Sequence, residues 1–208
     1  MLKIDFHLHT EFSPDSRLRL GGLAKLCKEK GIVPAITDHN TMEGADAFRK
    51  FKAPFIPGEE IRVSWKNWRA DITGLFLTEP IPKSTDAAEA LDLIKGQGGL
   101  SYLPHMFDLL RFGLRDEGLA RRADIIEVFN GRSFGVFDRK AEALAKKLGK
   151  PGAAGSDSHF LYEFGKTWTE VECDELEPKA LLRAMKKGTK IVGERTSFFK
   201  RKWVRHFG

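Results

Sequence analysis

The chain has 208 residues, 41% of them hydrophobic, with two cysteines and a formal net charge of +6. That length and apolar share suit one sizeable core rather than two independent domains, and two cysteines exclude a disulfide framework. An acidic residue and a histidine follow Met1 too soon for a secretory leader, and no stretch is apolar enough to span a bilayer, so a soluble, cytoplasmic protein without a membrane partner is expected.

Taken in chain order, short apolar runs of strand type alternate with helical patterns, which is the sign of an α/β fold with a largely parallel sheet. Leu2 to Phe6 reads as a strand, Leu20 to Lys30 as a helix stopped by Gly31, and Ile32 to Thr37 as the next strand. Met42 to Phe51 reads as a short helix. Two extended segments, Ala53 to Val63 and Ala70 to Leu77, flank an exposed Trp65-Lys66-Asn67-Trp68 turn. Thr85 to Lys95 is helical with Thr85 as its cap, and Gly99 to Leu103 leads a strand to His105. Strands at 124–129, 152–155 and 167–172 interleave with helices at 137–148 and 178–187. Cys27 and Cys173 read as packed thiols. There is no internal repeat and no long linker. The expected organisation is one domain over residues 1–195, followed by a basic, aromatic tail over 196–208. That tail either docks on the body or tracks a nucleic-acid backbone. About seven βα-type units in this length favour a small, distorted (β/α)7 barrel over an open sheet.

Five of the six histidines fall in four distant segments: Asp5-Phe6-His7-Leu8-His9, Thr37-Asp38-His39-Asn40, Pro104-His105 and Gly155-Ser156-Asp157-Ser158-His159. Each follows a predicted strand, where barrel enzymes build their sites. His7 and His9, like Asp157 and His159, are two residues apart, so in a strand they point the same way and can bind one ion together. Neutral imidazole beside carboxylate suits zinc, manganese or iron better than magnesium alone. Glu59, after the Pro57-Gly58 turn, can bridge two ions through its two oxygens, and Asp15 lies on the loop over the same mouth. Arg111 and Arg132 fall on loops expected to overhang the mouth, and Arg17 lies close to Asp15. A guanidinium fork suits phosphate.

In order and spacing, His7-Leu8-His9-Thr10, Thr37-Asp38-His39-Asn40, Pro57-Gly58-Glu59, Pro104-His105 and Gly155-Ser156-Asp157-Ser158-His159 resemble the motifs of the polymerase and histidinol phosphatase (PHP) superfamily. The closest likeness is to its stand-alone metal-dependent phosphoesterases. The resemblance implies a distorted seven-stranded barrel with two or three divalent ions at the C-terminal face of the strands. It assigns His7, His9, Glu59 and Asp157 to one ion. Glu59 would bridge to a second held by His105, and Asp15, His39 and His159 would hold a third. Asp71 stands where relatives often have a histidine and is carried as an oxygen ligand; Met106 stands where proline often follows the motif histidine.

The implied activity is hydrolysis of a phosphate monoester or nucleotide-type substrate by a metal-activated water, with His7, His9, Asp157, Arg111 and Arg132 as catalytic residues and Arg111, Arg132 and Arg17 as substrate contacts. Ser156 and Ser158 lack a separate triad partner, so a serine-hydrolase reading is poor. Two alternatives stand beside it: a nuclease acting on short RNA or DNA, and a non-catalytic metal-binding PHP module. Metal-dependent amide or lactone hydrolysis is disfavoured by the two arginines and by the lack of an evident metal-bridging lysine.

Overall fold

The computed structural model describes residues 1–196. All but the first residue of the expected tail therefore lies outside the described residues.

Nine strands of the described residues form one sheet in the order β7-β6-β5-β4-β3-β2-β1-β8-β9. They are β1 (Leu2–Leu8), β2 (Ile32–Ile36), β3 (Ile56–Trp65), β4 (Trp68–Leu75), β5 (Leu100–Leu103), β6 (Ile125–Asn130), β7 (Gly152–Gly155), β8 (Thr167–Val171) and β9 (Lys190–Gly193). β1, β2 and β3 run parallel, as do β5, β6 and β7, while β4 is antiparallel to both of its neighbours. The sheet curls into a nearly closed barrel because the chain leaving β7 meets β1 again: the His9 N–H donates to the Ser158 carbonyl and the Asp157 N–H to that of His7, at 2.9 and 2.7 Å. At its other end β1 pairs antiparallel with β8, and β9 extends that edge. The expected barrel is thus present, with a reversed strand inserted and two strands added beyond β7. The gain of β9 went unread because Lys190–Gly193 is only four residues long and half of it is exposed.

Among the described residues six α-helices cover the sheet: α1 (Leu20–Lys30), α2 (Glu43–Phe48), α3 (Ala87–Gly96), α4 (Glu117–Arg122), α5 (Gly135–Leu148) and α6 (Pro178–Lys187). α1 buries Leu20, Leu23 and Cys27, one helical stripe, against Leu8 and Ile36. It ends at Gly31, whose φ of 64° is the left-handed conformation that glycine adopts without a Cβ penalty. α3 packs Ala87, Ala90, Leu91 and Ile94 on Ile61, Val63, Ala70 and Ile72 of the β3–β4 hairpin. Its cap is Asp86 rather than Thr85: the Asp86 carboxylate accepts from the N–H groups of Ala88 and Glu89, whereas the Thr85 hydroxyl turns back to the Pro82 carbonyl. α6 seats Leu181 and Met185 on a cluster that includes Ile4, Ala35, Ile56 and Val171. Cys27 and Cys173 are both buried free thiols. No helix among the described residues is long and apolar enough to cross a membrane.

Candidate metal centre

The barrel brings the strand ends together, and with them the histidines. His7 in β1 and His9 just beyond it point to the same side, with their Nε2 atoms 3.0 Å apart. His39 arrives after β2 and stacks on His9 at 4.2 Å between ring centroids, and His159 reaches His9 from beyond β7 at 4.4 Å. His105, after β5, and Asp157, after β7, adopt left-handed φ values of 30° and 54°. Backbone turned in this way is uncommon outside glycine, and here both residues end in the cage.

The centre of the cage is Glu60. Its Oε1 lies 2.8 Å from His105 Nε2 and 3.4 Å from His7 Nε2, and its Oε2 lies 2.8 Å from His39 Nδ1 and 3.5 Å from His9 Nε2. The carboxylate among the histidines is therefore that of Glu60 and not, as expected, that of its neighbour Glu59. Glu59 points away from the histidines, where its Oε2 accepts from the Ile81 N–H at 2.8 Å, and burial pushes its carboxyl up to about 7. The reason is strand parity: Glu59 shares a face with Ile61 and Val63, which pack under α3, while Glu60 shares the opposite face with Arg62.

The remaining expected ligands fall around Glu60. Asp157 Oδ1 lies 3.5 Å from both His9 Nε2 and His159 Nδ1. Asp15 reaches His159 Nε2 at 3.1 Å and His39 Nε2 at 3.6 Å from the rim loop. Asp71, opposite Arg62 in the β3–β4 ladder, comes within reach of Glu60 and His105 but is also gripped by the Arg62 guanidinium through both oxygens. Arg111 donates to Asp157 and, at 3.0 Å, to Asn130 Oδ1; Arg132 Nε lies 3.8 Å from Glu163. Arg17 is exposed and stays outside the cage, and its backbone N–H donates to the His159 carbonyl at 2.8 Å.

The donor set fits divalent cations. Four overlapping groups each bring three ligand atoms within 4.8 Å of one another: His9, His39 and His159; His7, His9 and Glu60; His7, His105 and Asp157; Glu60, Asp71 and His105. Two imidazole nitrogens facing at 3.0 Å cannot both carry hydrogen, and the fully buried Asp157 Oδ1 has, among the described residues, only the two imidazole nitrogens at 3.5 Å near it and no well-formed hydrogen bond. Such buried groups are otherwise costly. Burial, together with repulsion from His39 and His159, holds His9 well below the usual histidine range, so its imidazole is the neutral, ligating form. Against the upward effect of burial, Arg111 and a protonated His7, whose Nε2 proton a bound cation would displace, hold Asp157 well below the usual carboxylate range, and His7 and His39 do the same for Glu60. Both are ionised acceptors.

Sequence reasoning missed Glu60, Glu127 and Asn130, and the supporting Asp38. The Asp38 carboxylate accepts from the Thr10 N–H and hydroxyl and from Ser13, at 2.6 to 2.7 Å, and so holds the loop after β1 in place. For Glu60 the signal was available: the apolar residues Ile61 and Val63 alternate in step with Glu59. For Glu127, inside the apolar run Ile125-Ile126-Glu127-Val128, a charge in a buried strand was the signal.

A barrel whose strand ends converge on histidines and carboxylates in this way defines a metal-site barrel. The PHP domain model matches residues 5–62, and the PHP-associated model matches residues 137–189. Over an alignment of 225 residues the chain is 36% identical to uncharacterized protein MJ0417 of Methanocaldococcus jannaschii, covering 100% of this chain and 90% of that one. This chain belongs to the PHP superfamily.

Among solved structures it is similar to a two-domain protein from Bacteroides vulgatus containing a predicted PHP-like metal-dependent phosphoesterase. The TM-score is 0.74 at 20% identity, over 93% of this chain and 65% of that one. It is also similar to the lesion-specific endonuclease EndoQ of Pyrococcus furiosus, with a TM-score of 0.66 at 16% identity, over 91% of this chain and 57% of that one. The chain thus spans less than two thirds of either of these structures, and at such identities the likeness is one of fold.

Proposed function

We propose that this chain is a metal-dependent hydrolase of phosphate esters, with a monoester or nucleotide-type substrate. The observation that carries the reading is Glu60 at the meeting point of four imidazoles, with Asp157 and Arg111 directly beside them. His7, His9, Glu60, His105 and Asp157, with His39, His159 and Asp15 on the outer side, would hold two or three divalent ions of the zinc, manganese or iron class. When bound, such ions supply Lewis acidity and lower the pKa of water enough for it to act as a nucleophile near neutral pH. Asp71, gripped by Arg62, is the weakest of the proposed ligands.

Arg111 and Arg132 supply the anion-binding part. Their side chains are 24% and 18% exposed, so each faces the mouth while its carboxylate partner, Asp157 or Glu163, is fully buried. A phosphoryl group entering there meets two arginines already held in place, Arg111 by Asp157 and Asn130 and Arg132 by Glu163, which orient the ester. Turnover of an aryl phosphate with manganese, zinc or iron added to metal-stripped protein tests the reading. Folded, metal-loaded protein that turns over neither this ester nor any of a panel of phosphorylated metabolites would favour the non-catalytic module instead.

One observation favours short oligonucleotides as a second substrate class. Arg62 and Arg69 lie on the cage-facing side of the β3–β4 hairpin, in register with Asp71 and Ser64. The Arg62 guanidinium carbon lies over the Phe112 ring, 3.6 Å from its centroid, and Phe112 is 43% exposed. Cations beside an open aromatic face suit a phosphodiester backbone with stacked bases. Degradation of a labelled single-stranded oligonucleotide that weakens steeply with added salt and in Arg69→Ala supports this class; degradation indifferent to both argues against it.

A further inference from the structure

Behind the cage, on β6, Glu127 is a fully buried carboxylate with no role in the ligand set described above. Its Oε1 accepts from the Tyr102 hydroxyl at 2.7 Å and faces His7 Nδ1 at 3.3 Å. Its Oε2 accepts from the backbone N–H of His105 and from Asn130 Nδ2, the latter at 2.9 Å. Among the described residues no lysine or arginine lies within 4.0 Å of it, and the Arg111 guanidinium feels its field from farther off. A barrel needing only to pack would place an apolar residue here, since a carboxyl group taken out of water is costly even when its hydrogen bonds are made.

A second observation shows that room is kept for this contact. A Cβ at Gly155, on the neighbouring β7, would stand 2.3 Å from Glu127 Oε1 and 2.4 Å from His7 Cβ. Any side chain at that position would force the two apart.

We propose that Glu127 is the positioning residue that fixes His7 as the Nδ1–H tautomer, and that Asn130 ties this carboxylate to Asp157 and the arginines. With Nδ1–H donating to Glu127, the lone pair of His7 is on Nε2, the atom facing His9 Nε2 and Glu60. A carboxyl acceptor on the far nitrogen also makes the imidazole a stronger donor to a cation. Asn130 completes the link. Its Nδ2 donates to Glu127 and, at 3.0 Å, to Asp157 Oδ2. Its Oδ1 accepts from Arg111 Nη1 and from the Arg132 and Ser133 N–H groups, at 2.8 to 3.0 Å. Only one amide orientation serves all five partners, so the side chain is held from both sides. The arginine part rests on the phosphate-binding reading above; the His7 part does not.

The test uses zinc as the probe and needs no substrate. In the zinc-loaded wild type, nitrogen NMR of labelled histidines should show His7 protonated at Nδ1 and coordinated through Nε2. Coordination through Nδ1 would overturn the proposal without any variant being made. In Glu127→Gln, zinc affinity from chelator competition should fall about 10- to 100-fold, and the His7 Nδ1–H resonance should shift, while that of His159, whose Nδ1 faces the Asp157 carbonyl at 2.9 Å, stays in place. Folded Glu127→Gln protein with zinc affinity within twofold of wild type and an unshifted His7 signal would sink it. Absence of phosphatase turnover would remove the proposed function but leave both readouts standing.

Discussion

Glu59 and Glu60 are neighbours in β3, yet Glu60 Oε1 lies 2.8 Å from His105 Nε2 while Glu59 Oε2 is bonded to the Ile81 N–H on the far side of the sheet. One residue of strand register separates a cage residue from a buried structural acid. The pair makes a direct experiment. Glu60→Gln should lose bound metal, read by elemental analysis, and at least about 100-fold in turnover, as expected for removal of a group central to the site. Glu59→Gln keeps an acceptor for Ile81 and should retain metal and turnover within about threefold. The reverse pattern would return the bridging role to Glu59.

Arg132 is held at the mouth by Glu163, whose other oxygen accepts from the N–H groups of His159 and Phe160 at 2.7 and 3.1 Å. Arg132→Ala should raise KM about tenfold or more with kcat changed little, the mark of lost ground-state binding. Inhibition by inorganic phosphate should weaken in parallel. A fall in kcat at unchanged KM would move Arg132 from binding to the chemical step.

Gly44 lies under the Asp38 clamp. A Cβ there would stand 2.0 Å from Asp38 Oδ2 and 2.6 Å from Thr10 Oγ1. Gly44→Ala should destabilise the fold by about 1–3 kcal/mol despite the better helix propensity of alanine. Because Asp38 also orders Ser13, 3.4 Å from His9 Nδ1, zinc affinity should fall as well. Denaturant titration and chelator competition measure the two effects separately.

Asp138 sits at the start of α5, bonded to Arg195 and to the Asn130 N–H, and burial raises its carboxyl from 3.8 to about 6 in spite of Arg195. Between those values the folded state binds more protons than the unfolded one, so this group's contribution to stability falls as pH rises from 3.8 through about 6. Asp138→Asn removes that dependence. The stability of wild type relative to the variant should decline across that window, by on the order of 2–3 kcal/mol at most. Parallel stability curves from pH 4 to pH 7 would show that Asp138 does not titrate in this way.

Much of the cage was legible because short-range geometry dictates it. His7 and His9 share a face through the period of two, as the His9 and Asp157 contacts at 3.5 Å and the His7 and His9 contact at 3.0 Å require. What escaped depended on longer-range relations. Arg62 grips Asp71 only because the β3–β4 ladder sets them opposite each other. Arg111 is occupied by Asp157, and Glu127 reaches His7 across a space that Gly155 leaves open.

The sequence by itself determined the strand and helix order, the barrel class and the gathering of histidine and carboxylate at strand ends, because residue periodicity and chain punctuation act over a few residues. Only the tertiary structure decided which acid enters the cage, which arginine is held by which carboxylate, and what stands behind His7. Those choices follow from register between strands and from closure of the chain after β7 onto β1, where partners more than a hundred residues apart are set by the packing of the whole sheet.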